Sequence, residues 1–442
     1  MIFFLNFLNN IRMNNLHKGS KKLTNAWAFY DWANSVYTLV IISAIFPLFY
    51  ASLFTKENPN VAVFGTTISN TALISFITAF AFLVVAIISP ILSGIADYIG
   101  NKKRFLRIFC YIGSASCIGL YFFDKQNIYL GLLFYFFGLI GYWGSIVFYN
   151  SYLPDVAFKD QQDSLSAKGY SMGYVGSVIL LLICLFLVIG KEGQEAVQAM
   201  RLSFLLTGIW WFVFAQYTLY HLPKGNHSEK KITKAVFFNG FKELRKVKNQ
   251  LFENLILKRY LIAFFVFSMA VQTVMLVATY FGEKEILWES DSQKTMGLIV
   301  SILVINLIAV LGAVLTSKAS NKFGNIPTLI VVNGIWVAIC ICAFFVTLPI
   351  HFYITAGFVG LVMGGIQALA RSTYSKFLPE TDDTASFFSF YDVTEKIGIV
   401  IGMSIYGIID EVTGSMRNAI LFLGLFFVIG LILLFRVPKK SI

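Results

Sequence analysis

Charge is what this chain has least of. Only 13% of its 442 residues are Asp, Glu, Lys or Arg, while 57% are hydrophobic. Soluble domains carry about 25% charged residues, so a water-facing shell around a single core of this size is excluded. Mean hydropathy is +0.73, and the composition is that of a polytopic membrane protein. Cysteine is scarce too. Cys110, Cys117, Cys184, Cys340 and Cys342 all fall inside apolar runs, which excludes a disulfide framework and zinc-ligand spacing. The four histidines, His17, His221, His227 and His351, sit in loops or at span ends and build neither a metal cluster nor a catalytic triad. "GSKKLT" near the N-terminus lacks the phosphate-loop spacing and a preceding strand, so ATP-driven transport has no support. No cofactor, no metal and no enzymatic activity are expected. The apolar block Ile2–Leu8 is too short to span and lacks a cleavage site. Translation from Met13, or a disordered extension before it, is the expectation there.

Long apolar runs are abundant. A bilayer core needs about 20 apolar residues in a helix, and twelve segments qualify: 30–54, 71–95, 105–123, 128–150, 169–190, 202–221, 259–281, 295–317, 326–347, 351–371, 386–410 and 416–436. With both termini on the cytoplasmic side, the opposite side receives only Lys56, Lys125, Lys191, Arg201, Lys284, Lys294 and Arg417 of the 35 basic residues. That is a strong positive-inside bias. It also explains the net charge of +12 without nucleic acid. The cytoplasmic membrane is the expected location, and the lipid bilayer the expected surrounding.

Two sequence matches show that the halves repeat. "YNSYLPD" (Tyr149–Asp155) recurs as "YSKFLPE" (Tyr374–Glu380) at an offset of 225, and Ser93, Asp97 and Gly100 fall on Ser317, Asn321 and Gly324 at an offset of 224. Parallel six-helix repeats predict two bundles about an axis along the membrane normal, with a cavity between them. The expected organisation is a cytoplasmic segment 1–29, a bundle 30–221, a basic linker 222–258, a bundle 259–436 and a tail 437–442. In the linker, Phe237, Phe241, Leu244, Leu251 and Leu255 share one helical face, with Lys242, Lys246 and Glu253 opposite. This predicts an amphipathic helix on the inner membrane surface.

"GIADYIGNKKR" resembles the cytoplasmic signature of the major facilitator superfamily. Asp97, Gly100, Lys102 and Arg104 match it, while Ser93 stands where the first glycine would be. "YDWANS", "FYNSYLPDVA", "GGIQALARSTYSKFLPE" and "FFSFYDVTEK" are similar to the branch that contains the yeast vacuolar amino-acid effluxer and its bacterial relatives. Span 7 departs from that branch, with Ser268 where an acid stands in it. The resemblance implies the all-α major facilitator fold and a secondary transporter for amino acids or similar metabolites, efflux being one direction. A proton or another coupling ion would drive it, and a monomer is expected. The alternative is a non-transporting receptor or scaffold on the same fold, with the basic linker as its partner surface.

An acid in mid-helix costs about 2.5–3.5 kcal/mol on insertion scales, so buried charges mark cavities, ion pairs or interfaces. Asp31, Asn34, Ser35 and Thr38 follow i, i+3, i+4, i+7 spacing and form a polar stripe on span 1. Asp31 is either a cavity acid or an interfacial one at the mouth of the span. Tyr149 and Asn150 on span 4, Gln272 on span 7, and Gln367 and Arg371 on span 10 are the other substrate or coupling candidates. Arg371 can pair with Asp392 or Glu395, clamp a solute carboxylate, or lie at the interface. Asp392, Glu395 and Lys396 are assigned with Asp97, Gly100, Lys102 and Arg104 to a cytoplasmic gate, although Asp392 and Lys396 at i, i+4 can equally be a structural ion pair. The resemblance implies that Asp97 packs against the start of span 11. Trp27 and Trp32 are expected as interface anchors.

Overall fold

A computed structural model describes residues 16–54, 60–63, 65–225 and 234–438. The helices in chain order are α1 Lys21–Ser52, α2 Asn70–Ile99, α3 Lys102–Gly119, α4 Ile128–Asn150, α5 Lys159–Val188, α6 Gly193–His221, α7 Lys234–Glu253, α8 Leu255–Glu285, α9 Asp291–Phe323, α10 Asn325–Phe345, α11 Pro349–Phe377, α12 Thr384–Thr413 and α13 Met416–Phe435. Met13 and the segment before it lie outside the described residues, as do 226–233 of the linker.

Eleven of these helices are long and apolar enough to cross a membrane. The twelfth expected span, α12, has 30 residues but carries Asp392, Glu395 and Lys396 in its middle, so its composition alone does not mark it as a span. Another difference is a small antiparallel ribbon between α1 and α2, Asn60–Val63 paired with Thr66–Ser69. The Val- and Thr-rich sequence "NVAVFGTTIS" favours extended backbone.

Two hydrophobic cores form. One gathers residues from Leu23 to Leu222, the other mostly residues from Val247 to Val437. They meet along a seam where α5 packs on α9 and α11, and α12 packs on α2 and α4. Within the second set, Gly360 and Gly364 lie one helical turn apart on α11 and bring it against the backbone of α9 at Ile305 and Ala309. This is the small-residue packing of membrane helices, where dispersion rather than the hydrophobic effect holds helices together. On the outside, Phe76, Phe80, Leu83 and Ile87 form an exposed apolar stripe along α2, as a lipid-facing surface requires.

The linker helix forms, but not as an isolated surface helix. α7 packs against α2, α8 and α12, with Val247 and Leu251 buried. Lys246, expected to face away, bonds Asp383 at 2.7 Å and Glu243 at 3.3 Å. The Asp383 carboxylate accepting from it raises the Lys246 ammonium above its usual range. Leu255 belongs to α8 and is exposed. The side chains of Phe237 and Phe241 lie outside those described.

Candidate functional site

Between the two halves lies a cavity of about 270 Å³, lined among others by Asp31, Ser35, Thr38, Trp143, Asn150, Tyr170, Tyr174, Gln272, Asn306, Gln367, Arg371, Tyr391 and Glu395. Its first wall is α1. That helix starts at Lys21 rather than at residue 30, because Lys and Thr propagate a helix as well as apolar residues do. Asp31 therefore lies ten residues into the helix, about 15 Å from its start, and is buried. It is not an acid at the helix mouth.

Asp31, Ser35 and Thr38 face the cavity, whereas Asn34 does not. At 100° per residue, Ser35 and Thr38 fall within about 40° of Asp31 and Asn34 is about 60° away, enough to turn it into the protein. Its Oδ1 accepts from Ser35 Oγ at 3.4 Å. Beyond Val36 the helix widens into a π segment, Tyr37–Ala44, a rare conformation that occurs frequently at functional sites.

The carboxylate of Asp31 is held from both halves. Tyr149, at the end of α4, donates its hydroxyl to Oδ2 at 2.8 Å, and Arg371 of α11 donates Nη2 to the same oxygen at 3.2 Å. Arg371 also donates Nε to Ser166 Oγ (2.9 Å), Nη2 to the Ser166 carbonyl (3.0 Å) and Nη1 to Asn150 Oδ1 (3.1 Å). Its guanidinium lies 4.2 Å from the Tyr170 ring centre and 4.8 Å from that of Trp27. The arginine thus pairs with Asp31 and with neither Asp392 nor Glu395. Trp27 is not an interface anchor. It is fully buried, stacks on Tyr149 and donates its indole N–H to the Tyr149 carbonyl at 3.0 Å. Tyr149 does not line the cavity and acts through Asp31. The approach of α5 to α1 here requires Gly169, since a Cβ at that position would strike the Asp31 carboxylate.

On the opposite wall, Gln272 of α8 donates Nε2 to Glu395 Oε1 at 2.8 Å, and Tyr174 donates to Gln367 Oε1 at 2.7 Å. The grouping of Asp392, Glu395 and Lys396 with the gate is corrected by their depth. Asp392 is eight residues into α12, about 12 Å from its start. Lys396 bonds Asp392 and lies 4.0 Å over the Trp143 ring, so these two form the buried i, i+4 pair. Glu395 turns into the cavity.

At the end of the molecule bearing the α2–α3, α4–α5, α9–α10 and α11–α12 connections, the halves are cross-linked. "IGNKKR" folds into a two-residue turn, with Gly100 in the left-handed region at φ 70° and Asn101 capping α3. This turn sets Asp97 beside Lys102. Asp97 accepts from the Ala385 and Ser386 backbone N–H groups at 3.2 and 2.7 Å, where the start of α12 presents unpaired donors and partial positive charge. Lys102 bonds Asp155 at 2.5 Å, the Ser151 carbonyl at 2.9 Å and Thr384 Oγ1 at 2.6 Å. Asp155 belongs to the "YLPD" repeat, whose Pro154 opens a single helical turn, Leu153–Val156. Arg104 is exposed; its backbone N–H donates to the Asn101 cap at 3.3 Å, and its side chain joins none of these bonds.

A second latch was missed from sequence. Asp163 of α5 bonds Lys376 at 2.6 Å, Ser320 at 3.0 Å and Asn325 at 2.8 Å, all buried. Lys376 stands where the first copy of the repeat has Ser151, and this difference between the copies was the available signal. Tyr170 and Ser166 had none beyond the small-residue face of α5. The described hydrogen bonds and ion pairs between the halves all lie at this end or at the level of Arg371.

Two six-helix sets joined by a seam around a largely apolar cavity with a few polar and charged side chains define a major facilitator transporter, an integral membrane protein. Solved structures agree on the fold. The Escherichia coli fucose:proton symporter FucP superposes with a TM-score of 0.65 at 14% identity, covering 95% of this chain and 98% of that one. The proton:xylose symporter XylE does so with a TM-score of 0.69 at 15% identity, covering 95% and 96%. The chain belongs to the family described as vacuole effluxer Atg22 like, whose model matches residues 19–441. It is 30% identical over 424 residues to the uncharacterized MFS-type transporter YxiO of Bacillus subtilis (strain 168), covering 95% of this chain and 96% of that protein. Autophagy-related protein 22 of Saccharomyces cerevisiae (strain ATCC 204508 / S288c) is 25% identical over 428 residues, covering 82% and 77%.

Proposed function

We propose that this protein is a secondary transporter that moves a small solute, an amino acid or similar metabolite, across the membrane by alternating access, with efflux as one direction. The observation that carries this reading is the cavity at the seam, lined from both halves and flanked on one side by their polar cross-links. The positive-inside bias supports reading that side as cytoplasmic, and on that reading the conformation is closed inward and both termini lie in the cytoplasm. Asp31, Thr38, Asn150, Gln272, Gln367, Arg371 and Glu395 make up the solute and coupling surface, and Tyr149 positions Asp31. Asp97, Gly100, Lys102 and the Asp163–Lys376 pair form the inner gate. Opening inward requires the Asp31–Arg371 bond to break, since its partners sit on opposite halves. The proton-coupled sugar symporters that share the fold support coupling to a proton gradient.

Reconstitution into liposomes tests this. Flux of at least one amino acid, enhanced by a pH gradient of the correct sign, is the expected result. No flux across a full amino-acid panel, with or without the gradient, overturns it.

A further inference from the structure

Glu395 is, among the described residues, the charged group of the cavity wall that forms no ion pair of its own. Among the described residues, the other two charged groups lining the cavity, Asp31 and Arg371, bond one another. Lys396, its neighbour in sequence, spends its ammonium on Asp392 and on the face of Trp143. Glu395 receives only an amide N–H, from Gln272 at 2.8 Å. The two ion pairs cancel, and an ionised Glu395 leaves the cavity with one net negative charge. Arg371, the natural clamp for a solute carboxylate, already uses four of its five N–H bonds on Asp31, Ser166 and Asn150. Trp143, Tyr170, Tyr174 and Tyr391 also line the wall; aromatic faces attract cations, and Lys396 over Trp143 and Arg371 over Tyr170 already use two of these rings.

From this geometry we propose that the cavity recognises a protonated amine. Glu395 pairs with the ammonium, Gln272 orients the Glu395 carboxylate as a positioning residue, and Tyr174 and Tyr391 supply further aromatic surface beside it. The inference rests on the transport reading above and adds a chemical class to it: the solute's amino group is read, and its carboxylate is dispensable.

The test uses the purified full-length protein at pH 6.5 and matched derivatives of leucine and phenylalanine: the amide, a cation; the free amino acid, a zwitterion; and the N-acetyl acid, an anion. Amides and free amino acids of at least one series are expected to raise Tm, and the N-acetyl acids to leave it unchanged. Glu395→Gln should weaken amide binding at least tenfold while keeping the unliganded Tm. Glu395→Asp should restore part of the binding, and Gln272→Leu should weaken it less than Glu395→Gln does. If N-acetyl acids bind as tightly as amides, if no amide binds, or if Glu395→Gln binds amides normally, the amine proposal is overturned. The wild-type ligand series decides the matter even if the variants fail to fold. Liposome flux of any other solute would then leave the transport reading standing, whereas no flux of any solute removes that reading itself.

Discussion

Replacing Asp31 by Asn keeps the shape of the side chain and removes its charge. Arg371 would remain buried, with Ser166 and Asn150 as partners but without a counterion. Breaking one side of a buried pair costs about 3–5 kcal/mol. Because three of the four Arg371 hydrogen bonds survive, the lower end, about 3 kcal/mol, applies to the inward-closed state. At 1.4 kcal/mol per factor of ten, that is roughly a hundredfold shift toward forms open at the cytoplasmic end. The assay is thiol labelling of Ala313→Cys, a fully buried position clustered with Ala368 of its own half and with Ala167 across the seam, in a background lacking the five native cysteines. A membrane-impermeant reagent applied from the cytoplasmic side should label Asp31→Asn much faster than the parent. Arg371→Gln should behave alike, and the double variant should show less than the sum of the two effects, since coupled pairs are non-additive by about 0.5–3 kcal/mol. Unchanged labelling in either single variant, or strict additivity, refutes the idea that this bond holds the halves together.

Asp97→Ala removes the acceptor for two N–H groups at the start of α12, worth about 1–2 kcal/mol, and should raise the same labelling roughly five- to thirtyfold; an unchanged rate discards its gate role. Asp163→Asn leaves Lys376 with Asn325 but no carboxylate and should destabilise the closed state by about 3 kcal/mol, read as faster labelling and a lower Tm. Gly169→Val places methyl groups against the Asp31 carboxylate, an overpacking cost of about 1–3 kcal/mol; solute flux should fall while membrane insertion stays normal, and normal flux would show that α5 has room to retreat.

The spans were legible because each must bury about 20 residues of backbone in lipid without outside hydrogen bonds, which leaves a long apolar run. Where the chain could relieve a charge by tertiary contact, the reading weakened: α12 looked like a span with a polar entrance, and α1 looked nine residues too short. The site was legible in part. Asp31, Ser35 and Thr38 lie on one face whatever the fold, but whether Asn34 joined them depended on the width of the cavity. The Asp163–Lys376 pair was not legible as a pair, because its members lie 213 residues apart in the chain.

Local composition and helical period therefore determined which segments enter the membrane, which end of each span is basic, and that the chain is built from two similar halves. Those properties depend on the solvent and on neighbours within one or two turns. Only the packing of one half against the other decided that Arg371 meets Asp31, that the Lys396 of the i, i+4 pair lies over Trp143, and that Glu395 is left facing the cavity. A buried charge takes the partner that close contact offers it, and sequence distance carries no information about that choice.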